Sequence, residues 1–206
     1  MHSTPLLVVD NLLKVYTEGI FRKRILFQLK ADFVIEKPTI IGIIGPNGAG
    51  KTTLFELISG RNIPTSGKVI CHGKNIHKVK YNERRLLAIH HYNPNQFRRY
   101  KKPLPNFLLE PAGNSNRLIH LFDEFNTEEG FTGLLLSHFS KLRRQGHLVF
   151  FCIHPTKPFD LEIMRKICER YIFVHEGALM QMPNFETLLK DERIRDYLGD
   201  LVEDVK

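Results

Sequence analysis

The chain has 206 residues, 42% of them hydrophobic and 25% charged, which is the balance of an ordinary soluble globular protein with room for one well-buried domain and not for a second that folds independently. No run approaches the roughly 18 consecutive apolar residues of a membrane span, and the N-terminus lacks the basic-then-apolar stretch of a secretory signal. The formal net charge of +8 gathers at Arg22 to Arg24, Lys78 to Arg85, Arg98 to Lys102 and Lys141 to Arg144. Such runs are most simply solvated surface. Otherwise they could face anionic headgroups or an acidic partner, whereas nucleic acid would need a reading module and none stands beside them.

In chain order, the first clear element is Ile25 to Ile35, where Ile25, Phe27, Leu29, Ala31, Phe33 and Ile35 alternate with mostly polar residues. That period of two predicts a strand buried on one face, as in an antiparallel outer sheet. Thr39 to Ile44 is continuously apolar and β-branched, which predicts a strand covered on both faces. Leu118 to Phe122 and Leu148 to Ile153 are two more. Between them a helical stretch places Phe131, Leu134, Leu135, His138 and Leu142 on one face and stops at Gly146. Buried strands alternating with helices predict a parallel sheet with right-handed crossovers, hence an α/β fold. Residues 93–117 hold Pro94, Pro103, Pro105 and Pro111, which oppose long helices there. Phe185 to Leu198 reads as one or two short amphipathic helices. Cys71, Cys152 and Cys168 form no CxxC pair and are expected to be buried small residues in a reducing compartment.

Gly45-Pro46-Asn47-Gly48-Ala49-Gly50-Lys51-Thr52 matches GxxxxGK[ST] between the buried strand ending at Ile44 and a helix-forming run, Thr53 to Ser59. Glycines let backbone N–H groups turn inward into an anion nest at a helix N-terminus. Lys51 adds a point charge for the β- and γ-phosphates of ATP, and the Thr52 hydroxyl can ligate Mg²⁺. The second half of such a site is an acid at the end of another buried strand. Asp123 would hold Mg²⁺, directly or through water, and Glu124 would orient or deprotonate the attacking water. His154 follows the strand Leu148 to Ile153 and opens onto the same crevice. It either touches the γ-phosphate or is a helix cap or surface histidine. His120, inside its strand, reads as a packed histidine rather than a ligand.

These residues resemble an ABC transporter ATP-binding cassette. GPNGAGKTTL, Gly45 to Leu54, has the form typical of that family, and Pro64 to Val69 with Gly73-Lys74 is similar to its turn-strand-turn. The resemblance implies a RecA-like P-loop NTPase: a mostly parallel sheet flanked by helices, with an N-terminal antiparallel β subdomain, forming a single nucleotide-binding domain over 1–206. It implies that Gly45, Asn47, Gly48, Ala49, Gly50, Lys51, Thr52 and Thr53 bind nucleotide. It also implies that Tyr16 stacks on adenine, unless it is a core tyrosine. Asp123, Glu124 and His154 fall at the family's metal, catalytic and switch positions. The glutamine loop puts either Asn95 or Gln96 at its glutamine. Ile167 to Ile172, His175-Glu176-Gly177 and Asp191 to Gly199 resemble the cassettes of lipopolysaccharide-export and branched-chain amino-acid transporters.

The pattern also departs from the family. No LSGGQ-like string exists, and the proline-rich segment 93–117 stands where a helical subdomain is expected. Phe125 replaces the usual proline, and Gly130 the usual acid. In that family two cassettes sandwich ATP, each nucleotide lying between one phosphate loop and the other subunit's signature. This chain would therefore contribute its own loops and rely on a partner's signature. The implied reading is an ATPase subunit beside a membrane permease on the cytoplasmic face, paired with a complete cassette to give one working site, or with a second copy of itself to give two half-built ones. The alternatives are a nucleotide-binding regulatory or structural partner that does not hydrolyse ATP, or a cytosolic protein acting on nucleic acid.

Overall fold

The computed structural model describes residues 4–19, 22–92, 118–123 and 132–205. Two sheets organise them. In the first, β1 (Leu7–Glu18), β2 (Arg24–Ile35), β4 (Ser66–Cys71) and β5 (Lys74–Asn75) run antiparallel in the order β2-β1-β4-β5. In the second, β3 (Ile40–Ile44), β6 (Ala88–Tyr92), β7 (Ile119–Asp123), β8 (Leu148–Cys152), β9 (Arg170–His175) and β10 (Ala178–Met182) lie in the order β10-β9-β3-β8-β7-β6. Only the β9–β10 hairpin is antiparallel; the other four pairings are parallel. The expected α/β architecture, with an antiparallel outer sheet and three strands buried on both faces, is what the chain adopts.

Each face of the parallel sheet owns a core. On one face Ile41, Ile43, Leu121 and Phe150 pack with Leu54, Phe55 and Ile58 of α1 (Lys51–Ile58) and with Leu7, Val9, Leu29 and Phe33 of the outer sheet. On the other, Ile40, Ile44, Phe122, Val149 and Phe151 meet α3 (Thr132–Arg144), α4 (Pro158–Ile167), α5 (Phe185–Lys190) and α6 (Glu192–Leu198). A short helix, α2 (Tyr81–Arg84), precedes β6, and a 3₁₀ segment, Gly199–Val205, ends the described chain. The C-terminal stretch is two helices because the Asp191 side chain caps the second, accepting from the Arg193 amide at 3.1 Å. All three cysteines are buried and none is in a disulfide, and burial pushes the Cys71 thiol up to about 12.

Two expectations are corrected. The alternation in β2 buries Leu29, Ala31, Phe33 and Ile35, but Ile25 is 58% exposed. The β1–β2 ribbon continues to Glu18↔Arg24 while β4 leaves β1 at Leu13↔Ser66. Its far end therefore has no third strand among the described residues, and a register shift at Tyr16/Thr17 turns the side chains. In α3 the buried face is Phe139 and Leu142 with Leu136 packed beside them, whereas Leu134 is 60% exposed. Apolar residues line more than one side of this helix. The face is chosen by Phe139, whose ring lies 4.5 Å from Phe122 and 5.2 Å from Phe151. Phe131 and the Leu135 side chain lie outside the described residues, as does the proline-rich segment 93–117.

On the α3 side of β6 and β7 three histidines form a buried relay. The Leu118 amide donates to His147 Nδ1 at 3.1 Å, so that nitrogen is an acceptor. His120 Nε2–H then donates to it at 3.1 Å, and His91 Nε2–H donates to His120 Nδ1 at 3.1 Å. His91 also stacks on Phe122 at 4.3 Å. His120 is 7% exposed and bonded on both ring nitrogens, a packed histidine as expected. Burial, aided by charge repulsion from His90 and His138, pushes His91 down to about 3. Burial, with His91, His147 and His138, pushes His120 down to about 2. The unfolded chain protonates both near 6.5 while the native relay stays neutral. Stability is therefore complete above that pH and declines as pH falls from 6.5 toward 3, by roughly 1 kcal/mol per site per pH unit. Urea midpoints measured from about pH 7.5 to about pH 4.5 should fall steadily; a flat profile contradicts a neutral relay.

Candidate nucleotide site

The loop between β3 and α1 is held in shape by its glycines. Gly45 has φ 148°, and a Cβ there would stand 2.0 Å from the Val174 carbonyl oxygen. Gly50, the N-cap of α1, has φ 110°, and a Cβ would meet Phe27 at 2.8 Å and Leu29 at 2.9 Å. The β9–β10 turn fastens the loop from the side, the Gly177 amide donating to Ala49 O at 3.1 Å. Asn47 and Gly48 form the exposed tip, while Ala49 is buried and Thr52 and Thr53 are half-buried at the start of α1.

Lys51 lies inside the curl and is only 7% exposed. Its ammonium donates to Gly45 O at 2.7 Å and Pro46 O at 2.8 Å. Charged groups are costly to bury unless so bonded, and here the loop's own carbonyls do it. A phosphate oxygen is the natural competitor for that ammonium.

Asp123, at the end of β7, is 2% exposed. Its Oδ2 accepts from His90 Nε2 at 3.2 Å, while Oδ1 is buried and has no hydrogen-bond partner among the described residues. A buried anionic oxygen left without a partner is expensive and points to something that completes it. An oxygen-seeking cation fits, and Mg²⁺, held by this carboxylate and the Thr52 hydroxyl with water filling its other positions, suits the donor set.

The remaining predicted residues are placed as follows. Tyr16 is half-buried rather than in the core. Its hydroxyl accepts from Asn62 Nδ2 at 2.7 Å, the Lys14 ammonium lies 5.0 Å from its ring centre, and Phe27 sits 6.2 Å away. Phe27 in turn packs on Gly50, so one aromatic wall runs from Tyr16 to the phosphate loop. His154 is exposed at the end of β8, and its Nδ1 shares a hydrogen bond of 3.0 Å with the Tyr197 hydroxyl of α6. Burial, helped by Cys152, pushes the Tyr197 phenol up to about 12 against the pull of a hydrogen bond with the Gly45 backbone. Tyr197 thus keeps its proton and stands between His154 and the loop. Glu124, Asn95, Gln96, Phe125 and Gly130 lie outside the described residues.

Three site residues escaped the sequence reading. Phe27 looked like an ordinary inward position, and only the Tyr16↔Phe27 pairing of β1 with β2 makes it part of the wall. His90 carries no motif. Tyr197 was read as a family mark, with no hint that it reaches His154. The loop geometry predicts that Gly45→Ala, which forces a Cβ onto a carbonyl at positive φ, lowers stability by about 2–4 kcal/mol. Gly48→Ala, whose Cβ meets nothing within 4 Å, should cost only about 1 kcal/mol. Thermal midpoints of the two variants measure the difference; equal losses contradict the fit of the loop against β9.

The chain is similar to known proteins in sequence and in fold. The sequence profile of the ABC transporter family matches residues 29–141. The lipoprotein-releasing system ATP-binding protein LolD of Coxiella burnetii is 32% identical over 91 residues, 44% of this chain and 38% of that protein. The energy-dependent translational throttle protein EttA of Escherichia coli K12 is 28% identical over 201 residues, 91% of this chain and 32% of that protein. The chain thus spans about a third of the length of these curated relatives. In fold it is similar to the ADP conformation of MJ1267, an ATP-binding cassette of an ABC transporter. There the TM-score is 0.66 at 18% identity, covering 94% of this chain and 98% of that one. A nucleotide-free ATP-binding cassette from an ABC transporter gives a TM-score of 0.68 at 16% identity, covering 95% and 99%. With more than half of its length inside the family profile, the chain belongs to the ABC transporter family, as an ATP-binding cassette.

Proposed function

We propose that the chain binds Mg-ATP and hydrolyses it as one subunit of a membrane transport complex, paired with a cassette that carries the signature this sequence lacks. The observation that supports this most is the pairing of a phosphate loop closed around Lys51 with a buried Asp123 oxygen that has no partner. In this reading the chain is one nucleotide-binding domain, with residues 93–117 in place of the helical subdomain, working at the cytoplasmic face of a membrane. Membrane attachment in this reading comes through a permease subunit; among the described residues no helix is long and apolar enough to cross a bilayer. The motifs at Ile167 to Ile172 and Asp191 to Gly199 favour a lipid-export type of complex.

The roles follow from chemistry. Lys51 exchanges the Gly45 and Pro46 carbonyls for phosphate oxygens, and loop amides from Gly48 to Thr53 add donors at the helix N-terminus. Tyr16 offers a flat face to adenine. Mg²⁺, when bound, neutralises charge on the phosphates. Glu124 takes a proton from the attacking water, and His154, steadied by Tyr197, donates toward the γ-phosphate. A partner's signature would cap that phosphate from the far side. Gln96 or Asn95 would line the same pocket.

A second reading is a cassette that works away from membranes or holds ATP without turning it over. It is favoured by the relative that matches over 91% of the chain, a translational throttle protein, and by the net charge of +8. ATP turnover by the chain mixed with its cassette partner separates hydrolysis from the holding of ATP without turnover. The transport-ATPase reading expects Glu124→Gln to cut turnover by at least about a hundredfold, as loss of a general base does. Turnover that ignores this substitution rejects it, and no turnover with any cassette favours the second reading.

A further inference from the structure

His90 belongs to no motif, yet it touches both halves of the nucleotide site. In the parallel β6–β7 pair, His90 lies opposite Leu121 and Tyr92 opposite Asp123, so His90 and Asp123 share the face that α1 covers. The His90 and Asp123 side chains are each 1% exposed, with Nε2 3.2 Å from Oδ2. A carboxylate only accepts, so Nε2 carries the hydrogen. Phe55 of α1, four residues beyond Lys51, meets the imidazole edge-on with ring centres 5.6 Å apart and an interplanar angle of 86°. The ring is clamped by the phosphate-loop helix on one side and tied to the acidic strand end on the other. With Oδ2 engaged, the Asp123 carboxylate cannot rotate freely, and Oδ1 is the oxygen left over.

We propose that His90 is a positioning residue that fixes the Asp123 carboxylate so that Oδ1 is the oxygen presented to the divalent cation of the nucleotide complex. This rests on the nucleotide-binding reading above. A carboxylate bound through one oxygen and free at the other is the arrangement by which outer-shell hydrogen bonds orient metal ligands, and removing such a partner typically weakens metal binding about 10–100-fold. A residue that merely satisfied a buried carboxylate would affect stability and not the metal-dependent part of binding.

The test uses the full chain, with ATP alone and ATP with Mn²⁺ as probes, read by calorimetry. His90→Phe keeps a ring against Phe55 but removes the donor. It should leave metal-free ATP affinity within about twofold and weaken the gain from Mn²⁺ by about tenfold or more. His90→Gln, which restores an N–H, should recover most of that gain. In the wild-type chain, where folding is not at stake, bound Mn²⁺ should broaden the His90 ring resonances beyond detection. An unchanged Mn²⁺ gain in His90→Phe, no recovery in His90→Gln, or sharp His90 resonances in the Mn²⁺–ATP complex would each overturn the proposal while leaving nucleotide binding intact. A wild-type chain that binds no ATP in either condition overturns the nucleotide reading, and this inference with it.

Discussion

The site is organised around one buried cation. The Lys51 ammonium is enclosed by the carbonyls of its own loop, and that enclosure requires the loop to curl tightly, which only its glycines permit. Everything else supports the curl. β3 delivers the chain into it from the centre of the parallel sheet. Val174 leaves no space for a side chain at Gly45, and Phe27 and Leu29 leave none at Gly50. The β9–β10 turn fastens Ala49 and reaches on to β2, the Lys30 amide donating to Gly177 O at 2.8 Å. Both sheets therefore brace a single loop.

The same frame places acidic and imidazole groups at the strand ends. Parallel strands with helical crossovers expose their C-terminal ends on one edge, so β3, β7 and β8 deliver Gly45, Asp123 and His154 to a common side. The C-terminal helices then contribute to a site built by the first half of the chain: Tyr197 bonds His154 and lies beside Gly45. The face of the sheet toward α3 is different in kind. There His91, His120 and His147 are linked by hydrogen bonds, and His91 and His120 stack on Phe122, which makes a structural relay with a pH dependence of its own.

Much of this was legible in the sequence because the signals are local. An apolar, β-branched run such as Thr39 to Ile44 has few ways to be satisfied other than a covered strand, and GPNGAGKT is a loop geometry written out in residues. Asp123 and His154 were readable because each directly ends such a run. Harder to read was what depends on register or on competition between faces. Ile25 obeys the alternation of β2 but lies where the ribbon outruns β4, and Leu134 lost the inward face of α3 to Phe139. His90 and Asp123 are separated by 33 positions, and only the β6–β7 pairing brings them together. Glu124 and Gln96 fall outside the described residues, and their roles are what the family resemblance implies.

The central claim is that the curl around Lys51 exists to exchange carbonyl oxygens for those of a triphosphate. Calorimetric titration of the chain with ATP in excess Mg²⁺ tests it most directly. One-site binding is expected, with affinity reduced at least about tenfold in Lys51→Ala through loss of a charged hydrogen-bond donor. A wild-type titration without binding heat, and with a thermal midpoint that nucleotide does not shift, would contradict it.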